Sequence, residues 1–444
     1  MEPTILWADD EIELLKPHVM FLEGKGYQVK TVNNGSDAVD LVKDNHFDVI
    51  FLDENMPGLT GLETLDRIKD IRPHTPVIMI TKSEEETIME DAIGAKISDY
   101  LIKPVNPNQI LLSLKKNLDH SRLVDEKTNL AYQQEFRNIG MQLSADMDWN
   151  EWKEIYQKLI SWELKLDESS EDSMKEILSM QKLEANQQFS RYIERNYLDW
   201  LKGGDDAPVM SHTIFNEKVL PEVADGPVYL MMIDNLRLDQ WKVLQSALSS
   251  LFTTKKDELY MSILPTATQF ARNAFFAGLM PSEIQKKFPN KWVEDNEDGG
   301  KNMYEEDFLE GQLKRRGFQG KFSYHKITNL NAGRKLVDSF SNLSQNALNV
   351  IVYNFVDMLS HARTDMEVIR ELAETDSAYR SLTASWFDHS PLYDMFRKIA
   401  ETGGKVIVTT DHGTINVTEP SKIVGDRNTN TNLRYKQGKN LSYE

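Results

Sequence analysis

Cysteine is absent from the 444 residues, which excludes disulfides, a thiolate zinc site and a cysteine nucleophile. No apolar run approaches the roughly 18 residues that a membrane span requires. The opening residues, Met1 to Glu11, lack the basic stretch followed by an apolar one that marks a secretory leader. The expectation is a cytoplasmic protein with no membrane contact. Positive charge is also scarce: 51 Lys and Arg against 70 Asp and Glu give a net charge of −19. Such a chain repels nucleic acid over most of its surface and lacks the basic footprint of a DNA binder, so no direct DNA binding is expected. Glycine and proline almost vanish between residues 119 and 205, which leaves few places for turns. The length suits two or three domains at about 100–200 residues each.

What is present starts with alternation. "TILWAD", "YQVKTV", "FDVIFLD", "TPVIMIT" and "DYLIKP" read as five buried strands separated by amphipathic stretches over residues 1–118. This pattern predicts a parallel, doubly wound sheet. Its ligands belong at the carboxyl ends of the strands. Asp9, Asp10 and Glu11 follow the first strand, Asp53 the third, Thr81 the fourth and Lys103 the fifth. The carboxylates form a pocket for a hard cation such as Mg²⁺. Asp53 is the candidate phosphoryl acceptor, with Lys103 and Thr81 on the phosphoryl oxygens. Pro104 is a candidate cis proline. The ordered motifs "ADDE", "FLDENMPGLTGLE", "MIT" and "YLIKP" resemble the receiver domain of bacterial response regulators. That resemblance implies a flavodoxin-like fold. It implies Mg²⁺ on Asp10 and Asp53, with Asp9 nearby and the Asn55 main-chain carbonyl as a third ligand. It also implies Tyr100 as an aromatic switch moving with Thr81.

Residues 119–205 read as a helical bundle linking two larger domains. "WNEWKEIYQKLISWEL" puts Trp149, Trp152, Tyr156, Leu159 and Trp162 on one helix face. Aromatics at that spacing are more often core than a binding stripe. The segment is also a candidate dimer interface. It is acidic and shows no helix-turn-helix, and "GGDDAP" closes it.

In residues 206–444 three apolar runs each end in an acid: "VYLMMID" at Asp234, "NVIVYNFVD" at Asp357 and "KVIVTTDH" at Asp411-His412. His361 follows Asp357 by four residues, one helical turn. Singly, a strand-end aspartate is usually a cap and a lone histidine structural. Together they converge on one sheet edge, and Asp oxygen with His nitrogen suits Zn²⁺, with Mn²⁺ the other choice by ligand type. "SILPTATQFARNAFFAGLMP" places Thr266 and Thr268 just before a helix, where an anion is stabilised and a threonine nucleophile would face phosphate.

"MIDNLRLDQW", "PTATQFARNAFFAGLMP", "DMLSH" and "TDHG" resemble the PglZ branch of the alkaline phosphatase superfamily. That resemblance implies Thr268 rather than Thr266 as nucleophile. It puts one Zn²⁺ on Asp234, Thr268, Asp411 and His412, and a second on Asp357 and His361. It also implies nucleotide-type phosphodiesters as substrates. The superfamily places a further histidine on the second zinc, and no histidine follows His412 in this sequence. A missing C-terminal segment, a truncated form and a weak second site are the three explanations. Residues 282–346 read as a cap insertion, with Lys314, Arg315, Arg316 and Lys321 as candidate phosphate contacts and His325 as structural. A receiver, a helical linker and a PglZ domain in this order resemble PorX-type response regulators of type IX secretion. This implies a partner sensor histidine kinase, a homodimer formed on phosphorylation, and signalling through proteins such as a sigma factor. The rival is a non-catalytic, zinc-stabilised scaffold for a sigma factor or secretion component.

Overall fold

The computed structural model describes residues 3–82, 97–167, 172–204, 206–293, 299–415, 417, 419–427, 429–430, 432 and 434–443. The chain divides into two compact units: residues 1–144 with 162–182, and residues 145–161 with 183–444.

In the first unit β1 (Thr4–Ala8), β2 (Gln28–Val32), β3 (Val49–Asp53), β4 (Val77–Thr81) and β5 (Asp99–Ile102) form one sheet in the order β2-β1-β3-β4-β5. Every pairing is parallel. Parallel neighbours need crossovers, and the helices Lys16–Glu23, Gly35–Asp44 and Gly61–Ile71 supply them. The central strands β3 and β4 are buried along their whole length, as a sheet covered on both faces requires. Alternate residues feed two cores: Leu6, Ile50 and Leu52 enter one, and Ile5, Trp7, Val49 and Phe51 the other. The expected five strands are all present, and the Lys103–Pro104 peptide is cis.

The helix Pro107–Leu143 opens with Asn106 as N-cap and Pro107 in its first turn. It is followed by the helices Trp149–Asp167 and Asp172–Leu201. In the first unit, buried Tyr132 packs on Trp162 at 5.3 Å and donates to Gln181 Oε1 at 3.3 Å. In the second, Trp152 packs against Phe189 and Tyr192 at 5.2 and 5.9 Å, and Trp149 against Trp200 at 6.3 Å. The aromatic stripe is therefore core, with one exception. Tyr156 is 44% exposed, because the stripe is wider than the face that is covered.

The second unit carries a four-stranded parallel sheet of β6 (Val228–Ile233), β7 (Phe322–Ile327), β8 (Leu348–Tyr353) and β9 (Lys405–Thr409), ordered β7-β8-β6-β9. Strand β6 is buried throughout and sends Tyr229, Met231 and Ile233 to one face and Val228, Leu230 and Met232 to the other. Residues 282–346 are more than a cap. They contain the edge strand β7 and the helix Glu305–Arg315, whose Phe308, Leu309 and Leu313 lie in the core of one sheet face. Within this segment Arg315 donates to the Ala277 carbonyl and Lys314 pairs with Glu310.

Candidate active site and receiver pocket

In the receiver unit the ends of β1 and β3 bring carboxylate oxygens of Asp9, Asp10 and Asp53 within 4.8 Å of one another. Lys103, just past β5, contacts Asp9 Oδ2 and Asp53 Oδ1, each at 2.9 Å. Burial pushes the Asp53 pKa up to about 6, with the Lys103 contact opposing it and Asp9 adding to it. The donors are oxygens only, which fits Mg²⁺. Gly61 starts the helix beside Asp53, and a Cβ there would meet the Asp53 carbonyl oxygen at 2.4 Å, so only glycine allows this approach. Asn55 lies exposed in the loop between them. Thr81 directs its hydroxyl to Glu54, and Tyr100 is 42% exposed. Lys103 is thus the only one of the three expected switch residues whose contact with Asp53 is described.

In the second unit β6 and β9 end side by side, and the loops that follow carry the site. Oxygens and imidazole nitrogen of Asp234, Asp411 and His412 lie within 4.8 Å of one another, and all three side chains are buried. Thr268, the first residue of the helix Thr268–Ala277, joins them: its Oγ1 is 3.3 Å from Asp234 Oδ1 and 3.0 Å from His412 Nε2. Thr266 stands apart in role, its carbonyl accepting from Arg434 Nη2 at 2.7 Å. The loop geometry is fixed by backbone donors. Asn235, in the left-handed region at φ 62°, and His412 donate their N–H groups to Asp411 Oδ1 at 3.2 and 3.0 Å. Ser262 and Tyr260 donate their hydroxyls to the Asp411 carbonyl at 2.8 and 3.2 Å.

Two buried carboxylates this close do not both ionise freely. Burial, then the charge of Asp411, pushes Asp234 up to about 8. Burial also opposes ionisation of Asp411, but His412, Arg272 and the Asn235 N–H outweigh it and hold its pKa below the ordinary value. Asp411 Oδ2 is fully buried and makes no hydrogen bond, with Arg272 Nη1 at 3.9 Å and His412 Nε2 at 3.8 Å. A buried carboxylate oxygen without a hydrogen bond is one that a bound cation would satisfy, and the mixed oxygen and nitrogen set fits Zn²⁺.

Arg272 was not foreseen as a site residue. It is 1% exposed, its Nη1 lies 2.6 Å from Asp234 Oδ2, and its Nε donates to Glu305 Oε1 at 2.5 Å. Glu305 in turn accepts from Tyr324 Oη at 2.5 Å and contacts Lys326 Nζ at 3.0 Å. A sequence signal existed: Arg272 is the one charged residue in the apolar run "FARNAFFAGLMP", and a charge on a buried helix must be paired.

Asp357 and His361 are placed differently from expectation. Strand β8 ends at Tyr353, and Asp357 lies in the first turn of the helix Phe355–Asp365. The apolar run continues through Phe355 and Val356 because these pack inward from the helix, not because the strand is longer. Asp357 Oδ1 accepts from Asn235 Nδ2 at 3.2 Å, and its Oδ2 is 3.6 Å from His361 Nε2, whose side chain is 74% exposed. They share a helix face, but among the described residues no third histidine or acid joins them. The Leu-Arg-x-Asp motif is structural. Arg237 donates to Asp239 at 2.9 Å and to Asp376 at 2.9 Å, and Arg380 donates to Asp239 at 2.6 Å.

The fold and the pockets define a two-part class, a phosphoacceptor receiver joined to a parallel α/β domain with a buried Asp–Asp–His–Thr site. The model of the BREX system PglZ alkaline phosphatase-like domain matches residues 214–444, more than half of the chain, and the chain belongs to that family. The response regulator receiver domain matches residues 5–115 and the PorX response regulator linker domain residues 122–201, giving the PorX-type architecture. Among curated proteins, the chain is 32% identical over 136 residues to the transcriptional regulatory protein ZraR of Klebsiella oxytoca, covering 31% of each. It is 33% identical over 114 residues to the transcriptional regulatory protein ResD of Bacillus subtilis, covering 26% of this chain and 47% of that one. The chain thus spans 31% and 47% of the length of these relatives. Among solved structures, a CheY-like receiver domain from Methanospirillum hungatei is 27% identical, with a TM-score of 0.26, covering 27% of this chain and 96% of that one. No helix among the described residues is long and apolar enough to cross a membrane.

Proposed function

We propose that the protein is a response regulator, phosphorylated on Asp53, whose PglZ domain is a zinc-dependent phosphodiesterase acting on nucleotide-type diesters. The observation that carries the reading is Thr268 Oγ1 standing 3.3 Å from Asp234 and 3.0 Å from His412, at a helix N-terminus, inside a buried acidic cluster. Asp234, Thr268, Asp411 and His412 would hold the ion. A Zn²⁺ there supplies a Lewis acid that favours the threonine alkoxide and takes up charge on the phosphoryl oxygens. Thr268 attacks phosphorus, forming the Oγ–P bond as the bond to the leaving alkoxide breaks, and the threonine proton ends on that alkoxide, which departs as the alcohol. Water then attacks phosphorus, the Oγ–P bond breaks, one water proton restores the Thr268 hydroxyl, and the phosphate monoester leaves. The N-terminus of the helix Thr268–Ala277, where Thr268 stands, would favour the anionic phosphoryl group. No step is routed through a second ion on Asp357 and His361.

In the receiver, Mg²⁺ on Asp10 and Asp53, with Asp9 and the Asn55 carbonyl, would assist phosphoryl transfer, after which Thr81 and Tyr100 move and the protein forms a homodimer. This assembly would regulate type IX secretion through protein partners, a sigma factor among them. The deciding experiment is hydrolysis of bis-p-nitrophenyl phosphate with added zinc, comparing the chain with Thr268→Ala. Activity lost in the variant supports the reading. No activity in either favours the zinc-stabilised scaffold, which the two-donor set of Asp357 and His361 also favours.

A further inference from the structure

The geometry points to Arg272 as the residue that sets the coordination of the metal site. By occupying Asp234 Oδ2 it leaves that carboxylate one free oxygen, and so restricts the site to four single-atom donors. The inference rests on the zinc reading above and concerns which ions the site accepts.

Asp234, Asp411 and His412 each have one side-chain atom engaged by the rest of the protein and one left over. Asp234 Oδ2 is held by Arg272 Nη1 at 2.6 Å, which leaves Oδ1, the atom 3.3 Å from Thr268 Oγ1. Asp411 Oδ1 takes two backbone N–H groups, at 3.2 and 3.0 Å, which leaves Oδ2 without a hydrogen bond and 3.9 Å from Arg272 Nη1, farther than the 2.6 Å contact to Asp234. His412 Nδ1 lies 3.1 Å from the Gly413 carbonyl oxygen, an acceptor only, so Nδ1 carries a proton and Nε2 is the nitrogen left for an ion, which would displace any proton there. With Thr268 Oγ1 this makes four donors, the number a tetrahedral ion takes. Hard cations need more: Mg²⁺ demands near-octahedral oxygen and Ca²⁺ takes about 6–8 oxygens, often from bidentate carboxylates.

Asp411 is restrained by backbone, which no substitution there can remove. Asp234 is restrained by one side chain. That side chain cannot swing away, because Glu305 pins its Nε at 2.5 Å and is itself held by Tyr324 and Lys326. A buried guanidinium of 1% exposure is costly unless paired, and its pairing runs from Asp234 to β7. Arg272 touches neither substrate nor ion and is a positioning residue.

The test loads metal-free full-length protein with Co²⁺ and records the visible spectrum. It then measures the ratio of Zn²⁺ to Mn²⁺ affinity by chelator competition, in wild type, Arg272→Gln and Arg272→Lys. Wild type is expected to show the intense absorption of a four-coordinate site. In Arg272→Gln the absorption weakens as Asp234 becomes bidentate, and the Zn²⁺ to Mn²⁺ ratio falls roughly 10–100-fold, the usual range for a lost outer-shell partner. Arg272→Lys, which keeps a cation on Oδ2, recovers the spectrum. A merely structural arginine would lower the melting temperature and leave spectrum and ratio unmoved. A folded Arg272→Gln with an unchanged spectrum and ratio overturns the assignment, as does a weak six-coordinate spectrum in wild type, which needs no variant to fold. Failure of wild type to bind either ion sinks the zinc reading and this assignment together; metal binding with unchanged variants sinks this assignment alone.

Discussion

The chain builds an acidic pocket twice, each time at the carboxyl edge of a parallel sheet, and the two pockets differ in depth and in counter-ion. The receiver pocket has an exposed member, Asp10, and is bridged by a lysine whose side chain is 12% exposed. The PglZ pocket is sealed: Asp234, Asp411 and His412 are 1%, 0% and 3% exposed, and a buried arginine faces them. Lysine is a flexible point charge and suits a site where a phosphoryl group comes and goes. Arginine is a planar fork that fixes geometry and suits a site with a resident ion. Depth separates the pockets too, since Asp53 lies beside the exposed Asp10 while Asp234, Asp411 and His412 are all buried. On the proposed function, the same strand-end chemistry would give a transient site near solvent and a lasting one in the interior.

The largest effect tests whether the two pockets are separable. Thr268→Ala should lower bis-p-nitrophenyl phosphate hydrolysis by about 10,000-fold or more, the scale of removing a nucleophile. Phosphorylation of Asp53 by acetyl phosphate, read on a phosphate-affinity gel, should not change. Asp53→Ala should give the reverse, abolishing phosphorylation and phosphorylation-induced dimerisation while leaving zinc content intact. Loss of both activities in either variant would break the comparison.

The next test concerns the scaffold under the sealed pocket. Asp239 is 3% exposed between Arg237 and Arg380. Burial opposes its ionisation, but the two guanidinium groups win and hold its pKa below the ordinary value. Asp239→Asn leaves two buried cations short of a partner and should cost about 3–5 kcal/mol at pH 7. The sign with pH follows from the depressed pKa. The stabilisation is complete above the unfolded value of about 3.9 and is lost as pH falls through the folded value. Denaturation with urea should therefore show the gap between wild type and Asp239→Asn constant from pH 7 to 5 and narrowing below about pH 4. A gap that narrows between pH 7 and 5 would mean Asp239 is not the group responsible.

Removing the proposed zinc comes third. With zinc at 100 times its dissociation constant, binding adds about 2.7 kcal/mol to stability. A zinc-selective chelator, with Mg²⁺ kept, should lower the melting transition of the PglZ unit by about 5–10 °C and leave that of the receiver in place. Equal shifts in both transitions would contradict a lasting ion in one pocket and a transient one in the other.

The receiver was legible almost completely because its signals are local. Each strand is a short buried run, and each pocket residue sits within a few positions of a strand end. Asp234, Asp411 and His412, which the structure brings together, were legible for the same reason, and Thr268 because it opens a helix. Arg272 and Glu305 were not. They lie 33 residues apart, and their meeting depends on the packing of the helices Thr268–Ala277 and Glu305–Arg315. Strand β7 was hidden because "FSYHKI" is half-buried along most of its length, as an edge strand is, and lacks a continuous apolar run. Asp357 was misread as a strand end because apolar residues continue across the strand–helix junction, where hydrophobicity alone does not distinguish the two.

The smallest expected effect asks how firmly the nucleophile loop is held. Tyr197, on the helix Asp172–Leu201, accepts the Leu264 N–H at 2.8 Å, four residues before Thr268. Leu264 is 44% exposed, so water can replace the phenol when Tyr197→Phe removes it. The loss of stability should be about 1 kcal/mol or less, the net value of one hydrogen bond. If the contact also fixes the loop, kcat should fall by up to about fivefold, the kinetic equivalent of that energy, with KM unchanged. The rest of the loop is anchored independently, since Ile263 donates its N–H to Ser211 Oγ at 3.0 Å and Met261 its N–H to the Val209 carbonyl at 2.9 Å. A drop far beyond fivefold would mean that the linker helix, and not the PglZ core, sets the position of Thr268. The sealed pocket would then be as dependent on its surroundings as the open one.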